Sequence, residues 1–247
     1  MTAADPSPLA PSPRANERPA ASGRARGVRF AGRDLGCVRG DRAIFAGLDF
    51  DLQAGGALVL SGPNGSGKSS LLRVLASLLP PAAGQLTWDG ADVAADPEAH
   101  RARLHYQGHH EALKPELTAA ENLGFWAGLH GPRGGAVHDA LSRFGLADLA
   151  DQPVRLLSAG QRRRLSLSRI LAAAAPLWLL DEPSVGLDAR SVRTLEAEIE
   201  AHRAAGGLVV LATHQPLDLA DQQELSVADF PPAPVWADDD PWAGALW

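Results

Sequence analysis

Ala57-Leu-Val-Leu-Ser61 runs straight into Gly62-Pro-Asn-Gly-Ser-Gly-Lys-Ser69, and Pro80-Pro81 closes the segment that follows. The first five residues are a continuous apolar run and read as a buried strand. Ser69 to Leu79 carries helical apolar spacing, which the proline pair ends. The eight residues between fit G-x-x-x-x-G-K-[ST], directly after a strand and opening a helix. Glycines let backbone N–H groups turn inward around phosphate oxygens, and the helix N-terminus adds partial positive charge. Gly62, Pro63, Asn64, Gly65, Ser66, Gly67, Lys68, Ser69 and Ser70 are therefore candidate nucleotide contacts. Lys68 is expected to reach the β- and γ-phosphates as a catalytic cation, and the Ser69 hydroxyl to bind Mg²⁺.

Outward from this loop, short apolar runs alternate with helical patterns from about 28 to 225, the mark of βαβ units around a mainly parallel sheet. Leu177-Trp-Leu-Leu-Asp-Glu182 is an apolar strand ending in two acids. At the carboxyl end of a buried strand Asp181 lies where ligands sit in open α/β sheets, suited to holding Mg²⁺. Glu182 is suited to orienting and deprotonating an attacking water. Leu208–Ala212 is another buried strand, and Asp188–Ala204 between them is helical with charges of both signs. The stretch from about 97 to 161 lacks such strands and reads as a helical subdomain inserted into the core. Residues 1–27, rich in Pro, Ala and Arg, read as a disordered tail, and 226–247, with four Asp and three Trp, as a flexible acidic one.

Composition narrows the function. At 247 residues and 45% hydrophobic the chain can bury one sizeable α/β core. A net charge of −6 without a dense basic patch argues against nucleic acid as a partner. Of 23 basic residues only Lys68 and Lys114 are lysines, so a lysine in the phosphate loop is informative. The single cysteine, Cys37, offers neither a disulfide framework nor a thiolate zinc site. The longest apolar run, Ile170 to Leu180, is 11 residues and contains Pro176, too short for a bilayer span of ~20 residues. With no apolar segment of a secretory signal near the start, the expected compartment is the cytosol.

Leu157-Ser-Ala-Gly-Gln161, placed 21 residues before Glu182, resembles the LSGGQ signature of ABC ATPases, with Ala159 replacing the third-position glycine. Ser158 there would cap a helix over Arg162–Leu171 whose dipole faces an anion. The resemblance implies that Ser158, Ala159, Gly160 and Gln161 grip the γ-phosphate bound to the opposite subunit of a homodimer. Ser184-Val-Gly-Leu-Asp188 is similar to the family's D-loop, which brings Asp188 to the nucleotide. His214, following Leu208–Ala212, is similar to the switch histidine that contacts the γ-phosphate. The fold so implied is α/β: a P-loop NTPase of ABC type with a mainly parallel sheet core, antiparallel edge strands and an inserted helical subdomain. Family spacing back from Glu121-Asn122 puts His109 where a metal-facing glutamine normally sits, with Gln107 as the alternative two residues earlier. Spacing back from Lys68 puts Arg39 where an aromatic usually stacks on adenine; a guanidinium plane can also stack on a base.

Further phrases narrow the resemblance: Gly108-His109, Leu113-Lys114, Glu116-Leu-Thr-Ala-Ala-Glu-Asn122, Pro153-Val-Arg155, Ala175-Pro-Leu-Trp178 and Thr213-His-Gln215. Together they are similar to the ATP-binding subunits of the bacterial cytochrome c maturation system, the haem exporter family CcmA. That resemblance implies ATP and Mg²⁺ as cofactors and a homodimer of ATPase subunits. It also implies an integral CcmB-like membrane subunit with CcmC- and CcmD-like proteins, and a peripheral place on the cytoplasmic face of the inner membrane. Hydrolysis would there drive haem export or release of a haem-loaded chaperone. By the same resemblance the membrane subunit docks around His109–Pro115 and Trp126. Two alternatives stay open: the ATPase of another ABC exporter or importer, and a soluble ABC protein acting on ribosomes or DNA. One ATPase module without a long coiled-coil insertion counts against the second.

Overall fold

The computed structural model describes residues 28–129 and 136–232; the tail expected over 1–27 and the acidic tail beyond 232 lie outside the described residues. In chain order the elements begin with β1 (Arg29–Arg39), β2 (Arg42–Gln53) and β3 (Ala57–Ser61), then α1 (Lys68–Leu75). Next come β4 (Ala83–Trp88), β5 (Ala91–Asp92), α2 (Pro97–Ala102) and β6 (Leu104–Gln107). Three helices follow, α3 (Ala119–Leu129), α4 (Ala136–Arg143) and α5 (Ala159–Ala172). The chain then returns through β7 (Leu177–Asp181), α6 (Ala189–Ala204), β8 (Leu208–Ala212) and β9 (Gln223–Ser226).

Five strands form a fully parallel sheet in the order β6-β7-β8-β3-β9. Parallel strands need crossovers, and the helices these supply cover both faces, so each strand reads as a near-continuous apolar run. The two-residue period of a strand splits those runs between two cores. Leu177, Leu179, Leu208 and Val210 pack with α1 and the first strands, while Trp178, Leu180, Val209 and Leu211 pack with α3, α5 and α6. The antiparallel strands make a four-stranded sheet of their own, β2-β1-β4-β5, rather than edges of the parallel one. Its first hairpin turns at Gly40-Asp41 between the paired Arg39 and Arg42, with Gly40 in the left-handed region at φ 57° that short hairpin turns require.

Several boundaries differ from the sequence reading, among them the start of α5, at Ala159 directly after its cap rather than at Arg162. α1 stops at Leu75 instead of reaching Leu79, because Ala76 caps it and Ser77 turns left-handed at φ 52°. The 97–161 stretch is not purely helical: β6 lies within it and pairs with β7 at the edge of the core sheet. Its four residues, Leu-His-Tyr-Gln, show no apolar run, and His105 is accommodated by a hydrogen bond between Nε2 and the Ala173 carbonyl at 2.8 Å. The folded unit also passes Ser226, since Val227 is buried and the Phe230 carbonyl accepts the Ala46 N–H at 3.3 Å.

Candidate functional site

The carboxyl ends of β3, β7 and β8 meet at one place, where an open parallel sheet presents ligands to its loops. The phosphate loop leaves β3 there and enters α1 with Gly67 as the N-terminal cap at φ 105°. A Cβ on Gly67 would lie 2.6 Å from Ile44 Cγ2, so both backbone conformation and space demand glycine. Lys68 is buried, and its ammonium donates to the carbonyls of Gly62 at 2.7 Å and Pro63 at 3.1 Å. The cation is thus folded back across the loop whose amides suit phosphate oxygens.

Asp181, the last residue of β7, is 3% exposed, and its Oδ1 accepts the Ser69 hydroxyl at 3.1 Å. These are two hard oxygen donors from elements 112 positions apart. They fit Mg²⁺, which takes one or two protein oxygens and completes its shell with phosphates and water. No group of three or more His, Cys, Asp or Glu side chains among the described residues could hold a metal ion.

Glu182 follows Asp181 at φ 49°, a left-handed conformation that a non-glycine residue keeps only where its surroundings hold it. Its N–H donates to the Ala212 carbonyl at 2.8 Å, and its carbonyl accepts from the Arg163 guanidinium. Oε1 shares a hydrogen bond with His214 Nδ1 at 2.9 Å, whereas Oε2 is buried with no partner. The Glu182 side chain lines a polar cavity, a place from which a carboxylate can serve as a base toward water. Lys68, Ser69, Asp181, Glu182 and His214 all line one cavity of about 420 Å³. Asn64, Gly65, Gly67 and Ser70 form its loop wall, and Ile44 and Val185 give it apolar surface.

His109 also lines this cavity. Gln107 is 2% exposed and turned into the core, where its amide donates to Ser166 Oγ at 2.8 Å. Of the two alternatives, His109 is the one at the cavity. Arg39 is exposed at the tip of the first hairpin and does not line the cavity; half-buried Ile44 on β2 takes the neighbouring wall.

Ser158, Ala159, Gly160 and Gln161 lie outside this cavity. Ser158 caps α5 in a reciprocal box: its Oγ accepts the Gln161 N–H at 3.2 Å, and its own N–H donates to Gln161 Oε1 at 2.7 Å. The serine is exposed, so it presents the positive end of α5 to solvent. Asp188 caps α6 by accepting the Ser191 N–H at 2.7 Å and lies 3.7 Å from Arg164. The Ser191 hydrogen bonds, with the basic neighbours Arg164 and Arg190 adding to them, hold its carboxyl below the usual range.

Two contributors escaped the sequence reading, Ile44 and Arg163. Arg163 precedes the buried Leu167 and Ile170 at i+4 and i+7, a helical spacing that already puts it on the buried face of α5. Burial pushes its guanidinium below the usual arginine range. A separate cavity of about 260 Å³ is lined by Glu111, Leu113, Pro115, Val154, Arg155 and Arg162. Nearby, the Arg169 guanidinium stacks 3.7 Å over the half-buried Trp126 ring and donates to the Glu111 carbonyl. Desolvation holds Arg169 down at about 10.

The ABC transporter family matches residues 45–185. The "Cytochrome c biogenesis ATP-binding export protein CcmA" of Paramagnetospirillum magneticum is 60% identical over 205 residues, covering 81% of this chain and 94% of that protein. The protein of the same name from Rhodospirillum rubrum is also 60% identical, covering 83% and 88%. A solved ATP-binding subunit of an ABC transporter superposes with a TM-score of 0.69 at 25% identity, over 75% of this chain and 79% of that one.

Proposed function

The chain belongs to the ABC transporter ATP-binding family, and from that premise we propose that it is the ATP-hydrolysing subunit of a cytochrome c biogenesis export complex. The observation that carries the reading is the meeting of Lys68, Ser69, Asp181, Glu182 and His214 at one cavity, with the exposed Ser158 cap lying apart from it. The loop amides and Lys68 bind the β- and γ-phosphates, the ammonium exchanging the Gly62 and Pro63 carbonyls for phosphate oxygens. Ser69 and Asp181 would hold Mg²⁺, with His109 at the same wall, and the ion supplies charge neutralisation on the phosphoryl oxygens. Glu182, whose side chain lines the cavity, orients the attacking water and takes its proton. His214 holds carboxylate oxygen Oε1 in place and stands ready to contact the γ-phosphate.

Ser158 and the α5 amides need a phosphate that their own subunit's cavity does not bring to them, so the complete site uses two copies of this chain. No helix among the described residues is long and apolar enough to cross a membrane. The export complex therefore takes its membrane-embedded part from another chain. We assign that part to a CcmB-like subunit, acting with CcmC- and CcmD-like proteins, at the cytoplasmic face of the inner membrane. Its contact surface is the groove beside Glu111–Pro115, flanked by exposed Phe125 and the Trp126–Arg169 stack. Haem, or a haem-loaded chaperone, is the cargo whose export or release hydrolysis drives.

A gene deletion tests the assignment. Cells lacking this chain should lose covalently attached c-type cytochromes while b-type haem proteins persist, and a Lys68→Ala copy should fail to restore them where the wild-type copy succeeds. Normal c-type cytochromes in a deletion strain with no second copy would remove the cytochrome c assignment and leave the ATPase reading standing.

A further inference from the structure

Three consecutive arginines open α5, and they do different things. Arg162 donates to the Leu157 carbonyl at 2.7 Å and Arg164 lies 3.7 Å from Asp188, so both tie down the entrance of their own helix or the loop beside it. Arg163 turns inward, is 7% exposed, and donates to the main-chain carbonyl of Glu182. Glu111, Asp181 and Glu182 act on its charge electrostatically, yet none of them closes to an ion pair with it among the described residues. A guanidinium buried against a carbonyl, with Nε left unpartnered, is a poor stabilising device. What it holds is the left-handed Glu182, whose carbonyl also accepts the Val185 N–H at 3.3 Å and whose N–H donates to the Ala212 carbonyl.

We infer that Arg163 is a positioning residue: its bond to the Glu182 carbonyl aims the carboxylate, and makes that aim depend on where α5 sits. Loss of that bond would free the Glu182 carbonyl to turn about ψ and loosen the left-handed backbone that keeps Oε1 on His214. The same helix carries Ser158 at its exposed end, so a phosphate gripped there reaches Glu182 of that subunit through a single rigid element. Hydrolysis in one subunit is thereby conditioned on its own α5 being seated. This rests on the reading of Glu182 as the base.

The test uses the full chain in its membrane complex, with Arg163→Met, Arg163→Lys and Glu182→Gln made in parallel. ATPase kinetics, affinity for a fluorescent ATP analogue and thermal melting are read for each. Arg163→Met keeps the aliphatic stem and removes the donors, so kcat should fall about ten- to a hundredfold, the scale of a hydrogen bond from a charged donor. KM and analogue affinity should stay within about twofold, as expected for an interaction that matters only in the transition state. Arg163→Lys keeps a cation and a donor and should recover part of the lost kcat. Equal kcat for the Met and Lys variants means a packing role and overturns the inference, as does wild-type kcat in Arg163→Met. Where Arg163→Met melts early, Arg163→Lys decides: a folded Lys variant as slow as Glu182→Gln sinks it. Wild-type turnover in Glu182→Gln would instead remove the premise, so the two failures are told apart.

Discussion

Ser158→Ala removes one hydroxyl from the entrance of α5 and separates two jobs the residue can hold. As a cap, its Oγ accepts the Gln161 N–H at 3.2 Å, while the return bond from its own N–H to Gln161 Oε1 at 2.7 Å needs no serine side chain. Alanine deletes the first bond and leaves the second, at an exposed helix end where water can replace the acceptor. The stability cost of such a change is ~1 kcal/mol. For a domain of this size that lowers Tm by about 2–4 °C. Ser158 does not line the cavity that holds Lys68, so nucleotide affinity of the separate subunit should shift by less than about twofold. Hydrolysis is a different matter if the hydroxyl grips a phosphate bound to a second copy. Removing one preorganised donor to a developing charge costs about 10²–10³ in kcat. The measurements are calorimetric melting, equilibrium binding of a fluorescent ATP analogue, and steady-state ATPase activity of the complex. A small drop in Tm with near-normal ATPase activity would reduce Ser158 to a helix cap. An affinity loss as large as that of Lys68→Ala would place the serine at its own subunit's nucleotide and refute the two-copy site.

Gly67→Ala sets a methyl 2.6 Å from Ile44 Cγ2 at φ 105°, so strain and overpacking of about 1–3 kcal/mol each should add. Urea unfolding measures the sum, and a loss below ~1 kcal/mol would mean that the loop relaxes freely. Acid should weaken the fold through His100 and His202, which burial holds below the ordinary histidine range. An unfolded histidine titrates at ~6.5, so below that pH the unfolded chain binds protons first and stability falls. Above it the contribution is complete. Melting at pH 7.5 and pH 5.5 checks this, and a Tm that holds or rises on acidification would contradict it.

The strands that carry chemistry were legible because each is an uninterrupted apolar run, as a parallel sheet covered on both faces requires. Ala57–Ser61 and Leu208–Ala212 have the bounds read from sequence, and the Ser158 cap follows from side-chain chemistry within one turn. What was hidden depends on contacts distant in sequence. β6 reads as polar because His105 and Gln107 find partners 68 and 59 positions away. That same partner, Ser166, draws Gln107 inward and leaves His109 at the cavity, which counting residues could only weigh. Arg39 lies exposed beside the hairpin turn at Gly40, while Ile44 on the returning strand meets the cavity, a contact that spacing alone does not reveal. Val227 and Phe230 open a segment whose acidic, proline-rich composition masks their packing beside β2 and β3.

The order β6-β7-β8-β3-β9 also has a consequence for how the protein is born. The strand that launches the phosphate loop ends at Ser61, yet its neighbours begin at Leu208 and Gln223, so 147 positions separate it from the first of them. At about 5–20 residues per second a ribosome needs roughly 7–30 s to cover that distance. Through that interval β3 has both hydrogen-bonding edges open, a template for wrong pairing that the growing chain must survive. A product released before Leu208 would contain every residue of the Gly62–Ser69 motif and no sheet to hold it in shape. Nucleotide affinity in this chain is thus acquired only after β8 is made rather than when its motif is made.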